Sequence, residues 1–219
     1  MLDYVKNIVR IKSTVLLAVI SLYAIFLSIL RVIFTGKSFF LFMFWNLFLA
    51  FLPWFIASLL YVKQIFSRTL FFILVITWLA FFPNAPYILT DIIHLGKEHS
   101  APVWYDLILL LSYGFAGMLY GFVSLKMIEE MTAVVLKIRF AWLFSIVLIY
   151  ISCFGIYLGR FLRWNSWDLL TNLDNVLKDV IVRIVNPFQH PTAWVFTFLF
   201  GTLLNLLYWS YKVFSNERN

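Results

Sequence analysis

Two short stretches of this chain hold most of the side chains able to do chemistry. The first is FFPNAPYILTDIIHLG, Phe81 to Gly96, in which Thr90, Asp91 and His94 follow Tyr87 at spacings of three, four and seven. A helix through them puts all four side chains on one face. Asp91 and His94, a carboxylate and an imidazole one turn apart, are candidate catalytic residues, a pair able to take up and release a proton. The second stretch is GRFLRWNSWD, Gly159 to Asp168, with Trp164 and Asp168 four and eight residues beyond Arg160. The guanidinium forks of Arg160 and Arg163 suit phosphate or carboxylate oxygens, and tryptophan belongs at the headgroup level of a membrane. With Asn84, Tyr87 and Asp106, these residues form a candidate binding site for an anionic ligand or lipid headgroup.

Each stretch also has a plainer reading. A proline kink with a capping asparagine, its Asp and His meeting water at the interface, accounts for the first. Basic residues snorkelling from the end of a membrane helix, and a reciprocal cap between Asn165 and Asp168, account for the second.

Other chemistry is thinner. Asp91, His94, Asp106 and Asp168, with His99 or His190, are of the right types for zinc or manganese, but their spacing is far less specific than a two-histidine zinc motif. Metal and cofactor therefore stay unassigned. The single cysteine, Cys153, leaves no internal disulfide and no cysteine-based metal site. No nucleophile triad and no phosphate-cradling glycine loop is visible. If the chain is an enzyme, its chemistry is acid-base or metal-assisted work on a phosphate-bearing or acyl headgroup, with Arg160 and Arg163 neutralising the substrate's charge.

The elements that must position these groups follow from composition. The 219 residues are 63% hydrophobic, 21% aromatic and only 12% charged, which is the balance of a membrane protein. The net charge of +7 is scattered, with no basic arm or aromatic RNA motif, so nucleic acid is not a partner; membrane lipids are. Apolar runs divide the chain into six candidate spans: Ser13 to Phe34, Phe39 to Val62, Thr69 to Phe82, Trp104 to Leu125, Phe140 to Leu158 and Ala193 to Phe214. The first follows Lys6, Arg10 and Lys12 and reads as a retained signal-anchor helix, because no small-residue cleavage site follows it. No internal repeat interrupts the pattern. The expected fold is an all-α polytopic membrane bundle, residues 1–219 forming one domain.

Lysine and arginine set the expected orientation. With both termini cytoplasmic, ten such residues lie inside and seven outside, and setting aside the long loop from Gly159 to Pro191 leaves three outside. Both chemistry-bearing stretches then share the extracytoplasmic face.

The third span is broken at Pro83 and Pro86. From Thr69 to Phe82 is 14 residues, roughly 21 Å of helix, so Pro83 falls inside the outer leaflet. Asn84 can cap a second helix running from about Ala85 to Leu95, with Pro86 in its first turn and Gly96 as its stop. An aspartate near mid-bilayer costs about 2.5–3.5 kcal/mol, so the stripe through Asp91 should face the bundle interior or a water-filled pocket. Beyond the second stretch, apolar residues recur at three and four from Leu169 to Val185, with polar residues opposite. An amphipathic helix near 168–185 is expected to lie flat on the outer surface, with a lid over a pocket as the alternative. Glu129 and Glu130 read as a solvated cytoplasmic helix end, and Asn46, Pro53 and Asn205 as residues that hydrogen-bond across the bundle and carry no functional weight.

The elements FFPNAPYILTDIIHL, WYDLILLLSYGFAGMLYGFVSL and GRFLRWNSWDL together resemble a bacterial family of multi-pass membrane proteins known as domain of unknown function 1361. The similarity runs from about Trp45 to Trp209. It implies bacterial origin and the plasma membrane, and supplies no activity. Two further readings stand beside the anion-binding pocket. One is a substrate-binding or transport subunit of a larger complex, although the first helix lacks the Ala-x-x-x-Ala signature of one such class. The other is a non-catalytic assembly or regulatory partner whose polar stripes serve packing. Oligomeric state is not set by the sequence.

Overall fold

The computed structural model describes residues 2–63, 67–97 and 99–216. Every regular element among the described residues is a helix. Helix α1 runs Leu2–Thr35, α2 Phe42–Lys63 and α3 Arg68–Phe81. A short turn, α4 (Asn84–Tyr87), leads into a 3-10 segment, Ile88–His94. Then come α5 (Val103–Leu136), α6 (Ala141–Leu162), α7 (Asp168–Thr171), α8 (Leu173–Val185), a 3-10 turn at Pro187–Gln189, and α9 (Pro191–Asn216). Six helical stretches are long and apolar enough to cross a membrane, the third being the broken run Arg68–His94. The chain is a multi-pass integral membrane protein.

Helix α5 is the axis of the bundle. Two thirds of its apolar window (67%) is buried, against 28% for α1 and for α9. One side of it packs with α1, α2 and the broken segment around Leu110, Tyr113 and Ala116. The other packs with α3, α6 and α9 around Trp78, Leu125 and Cys153. At 34 residues it is about 51 Å long, well beyond a bilayer core of about 30 Å. It runs past the span end expected at Leu125 and past the helix end expected at Glu129 and Glu130, to Leu136. Glu129 is not solvated: it accepts hydrogen bonds from Ser145 (2.6 Å) and Tyr208 (2.9 Å) and pairs with Lys212 of α9.

Two other boundaries differ from expectation. The second half of the broken span is a 3-10 helix where an α-helix through Leu95 was expected. Four of its seven residues, Ile88, Thr90, Ile92 and Ile93, are β-branched and poor α formers, and the Thr90 hydroxyl bonds the Tyr87 carbonyl at 2.6 Å. A 3-10 rise of about 2 Å per residue also lets a short segment reach further. The amphipathic helix is interrupted at Asn172, whose φ of −146° leaves the helical region and separates α7 from α8.

Candidate functional site

The break is built by loss of backbone donors. Pro83 and Pro86 contribute no N–H, which removes the helical donors to the carbonyls of Leu79 and Phe82; the Ala85 N–H turns to Phe82 O (3.1 Å), and the carbonyls of Ala80 and Phe81 accept from side chains. Ser166 Oγ donates to Ala80 O (3.0 Å), and Asn84 Nδ2 donates to Phe81 O (2.9 Å) and to Ser166 Oγ (3.0 Å). Asn84 is thus not the expected helix cap, for α4 begins without a side-chain cap bond. It ties the break to the Arg163–Trp167 loop.

Glycines let the broken segment sit deep. A Cβ on Gly117 of α5 would fall 2.5 Å from the Ala85 carbonyl oxygen, and one on Gly121 3.2 Å from the Ala85 Cβ. From the other side, a Cβ on Gly155 of α6 would meet Pro83 at 3.2 Å and one on Gly159 would meet Tyr87 at 3.3 Å. Small residues one turn apart on two helices thus form the slot that holds Pro83 to Ile88.

Just beyond that slot Asp91 is only 1% exposed, and both of its oxygens are engaged. Arg160 Nη2 donates to Oδ1 at 2.6 Å and Asn46 Nδ2 donates to Oδ2 at 2.8 Å. Arg160 Nε donates to Thr90 Oγ1 at 2.8 Å, and the guanidinium lies over the Tyr87 ring at 4.1 Å. Planar stacking plus two directed bonds holds the arginine in one pose. His94 Nε2 is 3.8 Å from Asp91 Oδ1, too far for a hydrogen bond, and the imidazole packs edge-on against Phe42. Lys97 Nζ lies 3.3 Å from His94 Nδ1. An ammonium can only donate, so Nδ1 accepts and the imidazole proton faces Asp91 from Nε2.

These groups form the polar end of a cavity of about 610 Å³, bounded by α2, α3, the broken segment, α6 and the loop to α8. That is within the range of about 300–1,000 Å³ typical of small-molecule sites. Asn46, Asn84, Tyr87, Asp91, His94, Arg160 and Trp164 all line it; Ile76, Leu79, Ile151 and Phe154 form its apolar walls.

Three residues expected at the site stand elsewhere. Asp106 is buried against α1, where Arg31 grips it through Nε (2.7 Å) and Nη2 (3.2 Å). Arg163 closes α6 in the left-handed conformation (φ 64°) with its side chain exposed and off the cavity. Because α6 ends at Leu162, the expected helical stacking of Arg160, Trp164 and Asp168 does not form. Asp168 instead accepts from the Asn165 backbone N–H at 2.6 Å, the plainer reading of that motif. With Asp106 and Asp168 so engaged, no cluster of three His, Cys, Asp or Glu forms among the described residues.

Helix α8 turns one face outward and another to the cavity. Leu173, Leu177, Ile181 and Ile184 are exposed as one apolar stripe, while Val176 is buried and lines the cavity. Asp179 accepts from Trp164 Nε1 (2.8 Å) and from Arg183 Nη1 (2.7 Å). Burial works against the Arg183 charge, but Tyr157 and Asp179 more than offset it and its pKa is raised. Arg183 therefore stays charged at any ordinary pH.

Sequence reasoning missed Asn46, Ser166 and the glycine slot. Asn46 was one of several helix-interior polar residues, and nothing in its neighbourhood separates it from Asn205, which bonds its own helix at Gly201. The spacing of Gly114, Gly117 and Gly121 on α5, at three and four, was the readable signal.

Fold and site together define a polytopic helical membrane protein with a polar-ended cavity at a broken span. The chain belongs to the family described as Protein of unknown function (DUF1361), whose family model matches residues 45–207. No curated protein and no solved structure matches it.

Proposed function

We propose that the cavity binds an anionic group at the extracytoplasmic side, with Arg160 as its positive anchor and Asp91 and His94 as a proton-handling pair beside it. The observation that carries this reading is Arg160 itself. Its Nε and Nη2 are held by Thr90 and Asp91, which leaves Nη1 of a rigidly posed guanidinium at the wall of a cavity. Pre-oriented donors bind anions without the entropy of ordering a free side chain. Asn84 and Tyr87 shape the site around it, and Trp164 walls it on the loop side.

The test is thermal unfolding of the detergent-solubilised protein with inorganic phosphate and with a short-chain phosphatidic acid. Ligand at a hundred times Kd stabilises by about 2.7 kcal/mol, readable as a rise in Tm. Arg160→Lys and His94→Ala should lower the response. Absence of any rise with either ligand contradicts the reading.

One observation favours a second reading, a packing clasp without a ligand: both Asp91 oxygens already accept from protein donors. On that reading Asp91→Asn and His94→Ala change stability alone.

A further inference from the structure

The cavity has two unlike ends, and they differ in what they face. At the polar end Asp91 is 1% and the Arg160 side chain 11% exposed. At the other end Ile76 is 68% and Ile151 50% exposed, yet both line the same cavity. Both lie on membrane-spanning helices, α3 and α6, and on the mid-membrane side of the break. Ile151 precedes Arg160 by nine residues of continuous helix, about 13.5 Å. Helix α3 packs on α2 and α5, α6 packs on α5 and α9, and α3 and α6 do not pack closely on each other. The cavity is therefore a groove between two spans, open along its apolar length where a bilayer would lie.

A water-soluble anion would leave that length of apolar wall uncovered, whereas an acyl chain arriving from the bilayer covers it without leaving an apolar surround. Aromatic side chains Phe42, Trp45 and Trp167 ring the cavity toward its polar end, the level at which such rings meet headgroups. Resting on the anion-binding reading above, we infer that the occupant is an anionic membrane lipid admitted sideways between α3 and α6. Its headgroup reaches Arg160 Nη1, and its acyl chain lies along Leu79, Ile151 and Phe154. No bond is made or broken in this step; it is recognition of a bilayer component from within the bilayer.

The experiment uses the full chain in phosphatidylcholine nanodiscs doped with a phosphatidylglycerol carrying a diazirine on its acyl chain. Crosslinked residues are mapped by mass spectrometry. Labels should be enriched about tenfold on the cavity faces of α3 and α6 over the equally apolar exposed face of α1 at Leu22, Phe26 and Ile29, as expected for about 1.4 kcal/mol of preference. Ile151→Trp fills the apolar end while leaving every polar contact in place, and should abolish the enrichment. A diazirine phosphatidylcholine should show none. Phosphate binding is measured alongside by equilibrium dialysis. Even labelling with phosphate still bound overturns lipid occupancy and leaves the anion site standing. Even labelling without phosphate binding overturns both. Enrichment that survives Ile151→Trp overturns the placement of the chain in the groove.

Discussion

Two buried arginine–aspartate pairs, Arg160–Asp91 and Arg31–Asp106, use the same chemistry in opposite surroundings. Arg31 and Asp106 are 2% and 1% exposed, join side-on through two bonds with the Arg31 guanidinium over the Phe40 ring at 4.7 Å, and do not line the cavity that Arg160 and Asp91 wall. They top a ladder between α1 and α5. Tyr113 meets Ser28 at 2.9 Å and Tyr120 meets Ser21 at 3.0 Å, so Asp106, Tyr113 and Tyr120 present one face of α5 at heptad intervals. Arg160 and Asp91, by contrast, are shared with Thr90, Asn46 and Tyr87, and their outer edge forms a cavity wall. Burial and pairing alone therefore do not tell the two pairs apart; access does. The first pair seals two helices, and the second holds a broken span open against a groove.

The sharpest way to break this contrast is to remove one partner of the sealed pair. Arg31→Met strands a buried carboxylate and should cost about 3–5 kcal/mol of stability, and adding Asp106→Leu should recover most of it. Unfolding in detergent measures both. The double variant should bind phosphate like the parent; weakened binding would show that the two pairs are one site. Next in size is the glycine slot. Gly117→Ala drives a methyl toward the Ala85 carbonyl at 2.5 Å and should cost about 1–3 kcal/mol while also weakening binding, because the broken segment must shift. A neutral Gly117→Ala would mean that the segment does not sit in the slot.

Smaller effects sharpen the comparison. Arg160→Lys keeps the charge but loses the fork and the stacking on Tyr87, and should cost about 1–2 kcal/mol and roughly tenfold in affinity. An unaltered affinity would show that charge alone matters. Arg163→Gly should raise stability by about 1 kcal/mol, since glycine adopts the left-handed conformation without the Cβ penalty, and leave binding unchanged. Lost binding would return Arg163 to the site from which its exposed, outward placement removes it.

Much of this was readable beforehand, for identifiable reasons. Long apolar runs declare membrane spans because lipid tolerates little else, and a proline pair after 14 residues declares a break because the helix is too short to cross. The convergence of Asp91 with Arg160 followed from counting spans, which put both on one face. What failed was direction at short range. Arg160 and Arg163 look equivalent in sequence, but α6 ends between them, and the left-handed turn sends one into the cavity wall and the other outward. Asp106 looked like a neighbour of Asp91, yet α1 carries Arg31 at the matching height. Asn46 could not be singled out because its role depends on which face of α2 meets the break. Glu129 looked solvated because its three partners lie on α6 and α9, distant in sequence.

The most direct test of the central claim is an experimental map of the protein in nanodiscs containing phosphatidylglycerol. The account predicts Arg160 bonded to both Asp91 and Thr90, with headgroup density against its remaining nitrogen and chain density running down between α3 and α6. A map in which Arg160 points away from Asp91, or in which α3 and α6 close on each other with no groove between them, would contradict it.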